Sequence, residues 1–226
     1  MPTIYGDTTD GGTLSRGNAS FIAGRTSGGS LVFPSSATYP AGGIAYTPRG
    51  GGQYLFFRSF FVFDTSGISV TPDAATLKLY GFDTDTADLI AVKPELSLPL
   101  AAGDFNSYPS AAVTALGNSD GSGAGTLAGV SGFTYSSEIT SWNTTSGYND
   151  IALNATALAD MVSLDTFFVG IMEYDHDYLD ITNATTTYYS EVYFADETGT
   201  SKDPYIDYTT AAVAVTDNAT FFGANF

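Results

Sequence analysis

The sequence predicts an all-β protein, a jelly-roll-like antiparallel β-sandwich with one short helix. Three observations carry that expectation. The run Gln53–Thr65, QYLFFRSFFVFDT, holds five phenylalanines between Gly50-Gly51-Gly52 and Asp64-Thr65-Ser66-Gly67, as a strand buried on both faces would. Many shorter apolar or alternating runs follow at close spacing, separated by Gly, Pro, Asn and Asp. Helical patterning is confined to Asn154–Val162, NATALADMV, opened by Asn154 or Thr156 as N-cap.

Taken in order, residues 1–30 hold short strand pieces at Thr3–Tyr5 and Ala19–Ala23, with turns at Asp10-Gly11-Gly12 and Ser27-Gly28-Gly29. Leu31–Phe33 and Ile44–Tyr46 read as short strands, and Pro34, Pro40 and Pro48 mark the loops between them. In Gln53–Asp64, alternation puts Phe56, Arg58, Phe60 and Val62 on one side and Phe57, Ser59, Phe61 and Phe63 on the other. Ala74–Phe82 alternates as a half-buried strand should, and Leu89–Leu96 is a further strand with Pro94 at an edge or bulge. Asp104–Ser110 reads as loop, and Asn118–Gly132 as a Gly/Ser-rich mobile or crossover connection. Strands are expected at Phe133–Trp142, Tyr148–Leu153, Thr166–Tyr174, Tyr188–Ala195 and Tyr205–Tyr208. The expected organisation is one sandwich domain over 1–212 and a C-terminal tail over 213–226.

The net charge of −17 reflects few bases rather than many acids: seven Lys plus Arg against 24 Asp plus Glu. Such a surface repels phosphate backbones and anionic membranes, so neither nucleic acid nor membrane is an expected partner. MPTIYGDTTDGG has neither a basic nor an apolar leader pattern, and no run approaches the ~20 apolar residues of a membrane helix. The absence of cysteine removes disulfides, thiolate metal sites and cysteine nucleophiles together.

The inventory for catalysis is thin, and no catalytic residue is assigned. His176 is the only histidine, lying between Asp175 and Asp177, and no G-x-S-x-G elbow occurs. Among five glutamates the best pair for glycoside hydrolysis is Glu173 with Glu191. The pattern D-x-D-x-x-D occurs as Asp83/Asp85/Asp88 and as Asp175/Asp177/Asp180. Closely spaced carboxylates suit a hard cation, so Asp175, Asp177 and Asp180 are the candidate calcium ligands, with solvated acidic loops as the competing reading. Neither copy has the turn glycine or distal glutamate of an EF-hand loop. The N-x-[ST] sequons at Asn18, Asn143, Asn154, Asn183 and Asn218 read as chance matches in a Ser/Thr-rich chain. The 15 tyrosines, clustered around Tyr174, Tyr178, Tyr188, Tyr189 and Tyr193, together with Trp142 could offer a sugar-stacking platform or fill the core. Phe221, Phe222 and Phe226 in the tail are the candidate assembly residues, because bare aromatics on a tail need a docking partner.

The succession RSFFVFDTSGI, AATLKLYGF, DFNSYPSA, TSGYNDIALNATALADM, LDTFFVGIMEYDHD and ADETGTSKDPYIDYT resembles the DNRLRE-type β-sandwich domain of bacterial surface proteins and prokaryotic viruses. The residues that carry the resemblance are Arg58, Phe63, Asp64, Ala75, Leu77, Leu79, Tyr80, Pro204 and Ile206, and it extends over about residues 1–210. It implies a non-catalytic structural or adhesive module with no shared active site or cofactor, in which Arg58 and Asp64 are architectural. A buried arginine must be paired, and Asp64, on the same strand face, is one candidate among several acids. The leading expectation is therefore a virion structural protein, a capsid decoration (cement) or related surface component of a prokaryotic virus. It would contact itself as a homo-oligomer and/or the major capsid protein. The alternative is a carbohydrate-binding or adhesive module of a fibre or cell surface, with a glycan as partner.

Overall fold

The computed structural model describes residues 1–15, 18–27, 29–33, 38–48, 52–84, 86–145, 147–182, 186–195 and 198–211, with backbone alone at 13–15 and 30–33. Asp85, Asn183 and the tail over 213–226, with Asn218, Phe221, Phe222 and Phe226, lie outside the described residues.

The strands are β1 (Thr3–Tyr5), β2 (Gly11–Ser15), β3 (Gly29–Phe33), β4 (Thr38–Thr47), β5 (Gln53–Asp64), β6 (Ala74–Thr84), β7 (Leu89–Val92), β8 (Tyr148–Ala152), β9 (Thr166–Glu173), β10 (Tyr188–Tyr193) and β11 (Tyr205–Thr209). All named pairs are antiparallel, and the eleven strands form one curled sheet that folds over itself like a sandwich. β6 is the turning point. Its first part lies between β11 and β8, while its end pairs with β10, which leads on to β4 and β5.

β5 is the hub. β4 and β9 take successive halves of one edge, and β2 takes the middle of the other. Its two faces separate as the alternation predicts. Phe61 and Phe63 enter the main core with Leu77, Leu79, Ile151 and Phe167, between the two halves of the curled sheet. Phe56 and Phe60 face the opposite way, into two smaller clusters built with Phe21, Phe105, Ala112 and Leu116. A layer of helices and turns therefore covers the far side of β5. Close crossings also shape this region: a Cβ at Gly42 would stand 2.8 Å from the Met172 carbonyl carbon and 2.9 Å from the Glu173 nitrogen, so β4 can cross β9 there only without a side chain.

The helical content exceeds the single helix expected. α3 (Ala155–Ser163) forms as anticipated, with the Asn154 side chain accepting from the Thr156 and Ala157 amides and Ala157 and Met161 buried one turn apart. α1 (Phe21–Thr26) replaces the strand expected over Ala19–Ala23, because Ser20 caps it by accepting from the Ala23 amide and Phe21 anchors it beneath β5. α2 (Ser110–Gly117) follows Pro109, and a 3₁₀ turn over Ala102–Asn106 precedes it where loop was expected. Gly11 and Gly12 begin β2 instead of forming a turn, and Pro40 lies inside β4 beside a register shift at Ser190/Glu191. Phe133–Trp142 forms no strand: it bends at Tyr135–Ser136 and makes isolated bridges, Thr134 to Val92 and Ile139 to Leu89. Among the described residues no helix is long and apolar enough to cross a membrane.

Phe61 is fully buried and stacked on Phe194 at 5.2 Å between ring centroids. Phe61→Ala is expected to cost about 3–5 kcal/mol of stability, read as a lower urea midpoint at unchanged slope.

Candidate functional site

Arg58 sits in the middle of β5 on the face that carries Phe56 and Phe60, with no exposed surface. A guanidinium in such a place needs an acceptor for each of its five N–H groups and a negative charge. It has both. Nε donates to Asp177 Oδ2 at 2.7 Å and Nη2 to Asp177 Oδ1 at 2.6 Å, a bidentate pair. Nη1 donates to the Phe105 carbonyl and to Asn106 Oδ1, both at 2.6 Å, and Nη2 also donates to the Arg25 carbonyl at 3.2 Å. The Phe105 ring lies 3.9 Å beneath the guanidinium. Burial alone would lower the Arg58 pKa, but the Asp177 charge and Tyr108 outweigh it and the net shift is upward.

Arg25, on the last turn of α1, is also fully buried. Its Nε donates to the Asp177 carbonyl at 2.7 Å, Nη2 to the Gly125 carbonyl at 3.0 Å, and Nη1 lies 3.2 Å from Asp180 Oδ1. Here burial prevails over Asp177 and Asp180, and the pKa is lowered. Asp180 in turn organises the Gly/Ser-rich connection. Its carboxylate accepts from Ser119 Oγ at 2.5 Å and from the amides of Asp120, Gly121 and Gly125 at 3.1, 3.2 and 2.9 Å. A Cβ at Gly125 would stand 2.5 Å from the Ser119 Cα and 2.7 Å from Asp180 Oδ2, so only glycine lets this loop close on the carboxylate.

Asp177 reaches Arg58 because β9 ends in a π-helical turn, Tyr174–Tyr178. Glu173, only 2% exposed, caps that turn by accepting from the amides of Asp175, His176 and Asp177. The His176 Nδ1 lies 2.9 Å from Glu173 Oε1, and its ring stacks on Tyr188 at 5.2 Å. The Glu173–Glu191 pair considered for hydrolysis thus includes a carboxylate that serves as a helix cap.

Two sequence expectations are corrected. Asp64 does not pair with Arg58: six residues along a strand separate them by about 20 Å. Asp64 is exposed and closes the turn after β5, accepting from the Ser66 amide at 3.0 Å and the Ser66 hydroxyl at 2.6 Å, which lowers its pKa. The candidate calcium ligands do not converge. Asp177 and Asp180 face arginines, the counter-ions a cation would have to displace, while Asp175 lies near Asp88 and Glu138. Among the described residues, no group of three or more His, Cys, Asp or Glu is placed to hold a metal ion.

The structure also brings together residues that the sequence reading left scattered. On the outer face around β6, six rings touch in succession: Tyr5 of β1, Tyr205 of β11, Tyr148 of β8, Tyr80 of β6, Tyr193 of β10 and Phe82 of β6. Successive centroids are 5.8, 4.7, 5.2, 5.8 and 5.3 Å apart, and the four contacts from Tyr205 onward are edge-to-face at 71–83°. Tyr5 is 56% and Phe82 45% exposed at the two ends, and Lys202 Nζ lies 3.8 Å from the Tyr193 ring centroid. Burial among its neighbours pushes the Tyr148 hydroxyl up to about 12, and that hydroxyl donates toward the Ser201 and Asp203 carbonyls. Trp142 is not part of the row: it packs against the main core and its indole N–H donates to the Glu191 carbonyl at 2.9 Å. The signal for the row was the recurrence of aromatics at outward, alternate positions of different strands, which register alone aligns. No protein-family model and no curated protein matches the sequence.

Asp177→Ala is expected to cost about 3–5 kcal/mol by leaving Arg58 buried without its counter-charge, and Arg58→Met/Asp177→Leu to recover most of that loss in urea denaturation. A second expectation concerns pH. Burial and mutual repulsion with Asp175 raise the pKa values of Asp88 and Glu138, so the folded chain holds their protons to higher pH than the unfolded chain. Their destabilising effect is absent at low pH and grows as pH rises through those raised values. Asp88→Asn should therefore raise Tm at pH 7, with the gain vanishing below about pH 4.

Proposed function

We propose that this chain is a non-enzymatic structural protein of a virion surface, a capsid decoration (cement) or related component of a prokaryotic virus. The observation that carries the reading is the use made of the groups capable of chemistry. Arg25, Arg58, Asp177, Asp180, Glu173 and the only histidine brace a turn and a loop against β5, inside the body. Acids such as Asp7, Asp64, Asp83, Asp150 and Asp165 are exposed instead. A rigid, acidic body of this kind suits a protein that coats a particle and keeps particles apart by like charge. The resemblance to the DNRLRE-type sandwich supports the same reading, with Arg58 in the architectural role that resemblance implies. Its partners in this reading are further copies of itself and/or the major capsid protein.

Negative-stain imaging and heating of virions with and without the protein test the proposal. The expected result is loss of surface features and earlier capsid rupture when it is missing. Particles of unchanged outline and unchanged rupture temperature would refute it.

A further inference from the structure

We infer that the open edge at the start of β9 is a docking groove for the chain's own segment 212–226, which adds there as a further strand. The Thr65 amide donates to the Asp165 carbonyl, and the β5–β9 register continues from that bond. Peptide groups alternate along a strand, so Phe167, Val169 and Ile171 bond to β5 while Thr166, Phe168, Gly170 and Met172 turn theirs to the other edge. On that edge β7 meets Met172 and Gly170 through Ile90 and Val92, and there it stops. The same register would set Phe168 opposite Pro94, which has no N–H to give. The chain swings away instead, its Lys93 and Glu95 amides donating to the Phe133 and Ser107 carbonyls. Among the described residues, Thr166 and Phe168 are left without a backbone partner on that edge, in the place a longer β7 would fill. An open edge of this kind accepts an added strand.

The place is a groove of about 530 Å³ whose walls include Pro94, Leu96, Leu164 and Phe168. Leu164 is 38% exposed, and Leu98, next along the far wall after Ser97, is 41% exposed. The groove therefore suits an occupant that brings backbone hydrogen bonds and apolar side chains together. Residues 212–226, AVAVTDNATFFGANF, offer both: no proline, no Lys or Arg, a single acid and three phenylalanines. Position favours them too. Thr210 shares a depression with Gly67, Ile68 and Val70. The Ile68 amide donates to the Thr65 carbonyl and Thr65 bonds to Asp165, so β11 ends at the end of the sandwich where β9 begins. The separation is roughly 20 Å, about six residues of extended chain, which lets Phe221 and Phe222 reach the groove. Strand alternation then turns one of that pair inward.

Residue-resolved hydrogen exchange of the full chain, wild type against Phe221→Ser/Phe222→Ser, provides the test. With the segment seated, the Thr166 and Phe168 amides exchange slowly in the wild type and on the order of 100-fold faster in the variant. The Phe167 and Val169 amides, held by β5, keep the same protection in both. Fast exchange of Thr166 and Phe168 in the wild type, or protection that the serine pair leaves intact, would overturn the inference. So would protection that falls on dilution together with a dimer in sedimentation velocity, since the groove would then hold a second copy. The isolated chain is used throughout, so the outcome is independent of whether the protein coats a virion.

Discussion

A guanidinium in the middle of a twelve-residue strand, with no exposed surface, constrains everything around it. Arg58 can stay there only if a carboxylate and three carbonyl or amide oxygens are brought to it. Those groups come from three separate stretches: Asp177 from the turn after β9, Phe105 and Asn106 from the 3₁₀ turn, and the Arg25 carbonyl from α1. The pair therefore fixes where the covering layer lies on β5. An apolar pair of similar volume could fill the same space at little cost in net stability, whereas removing one partner alone leaves a buried charge.

Much of this architecture is legible in the sequence, and the failures have physical causes. β5, β6, β9 and β11 are readable because alternation and flanking turn residues are local signals. The two-faced burial of β5 follows from alternation alone. α1 was misread because six residues give too short a pattern to separate Phe21-Ile22-Ala23 from a strand, and the deciding facts are a Ser20 cap and a tertiary anchor. The partner of Arg58 was not legible, since Asp177 is 119 residues away and reaches it only through a π-helical turn. The D-x-D-x-x-D pattern illustrates the same limit. Spacing along the chain suggested three convergent carboxylates, whereas the turn sends Asp177 and Asp180 inward to arginines and leaves Asp175 with Asp88 and Glu138.

The tyrosine row shows how a surface can be assembled from weak local signals. Tyr80 and Tyr148 are cross-strand partners, as are Tyr5 and Tyr205, and only the register of β1, β11, β6 and β8 brings the two pairs into contact. Interior and exterior thus divide the work. Charged groups hold a covering layer on the hub strand, and aromatic groups pack against one another on the outer face around β6.

Residue-resolved native-state hydrogen exchange of the wild-type chain and of Arg58→Lys tests the central claim most directly. Lysine keeps the charge but cannot make the bidentate pair or supply five N–H groups. If Arg58 holds the covering layer, the amides of Asp120, Gly121, Gly125 and Asp175–Asp177 are protected together in the wild type. In the variant they lose that protection together, while β6, β8 and β11 exchange as before. Fast exchange of those amides in the wild type, or protection that survives in Arg58→Lys, would contradict it.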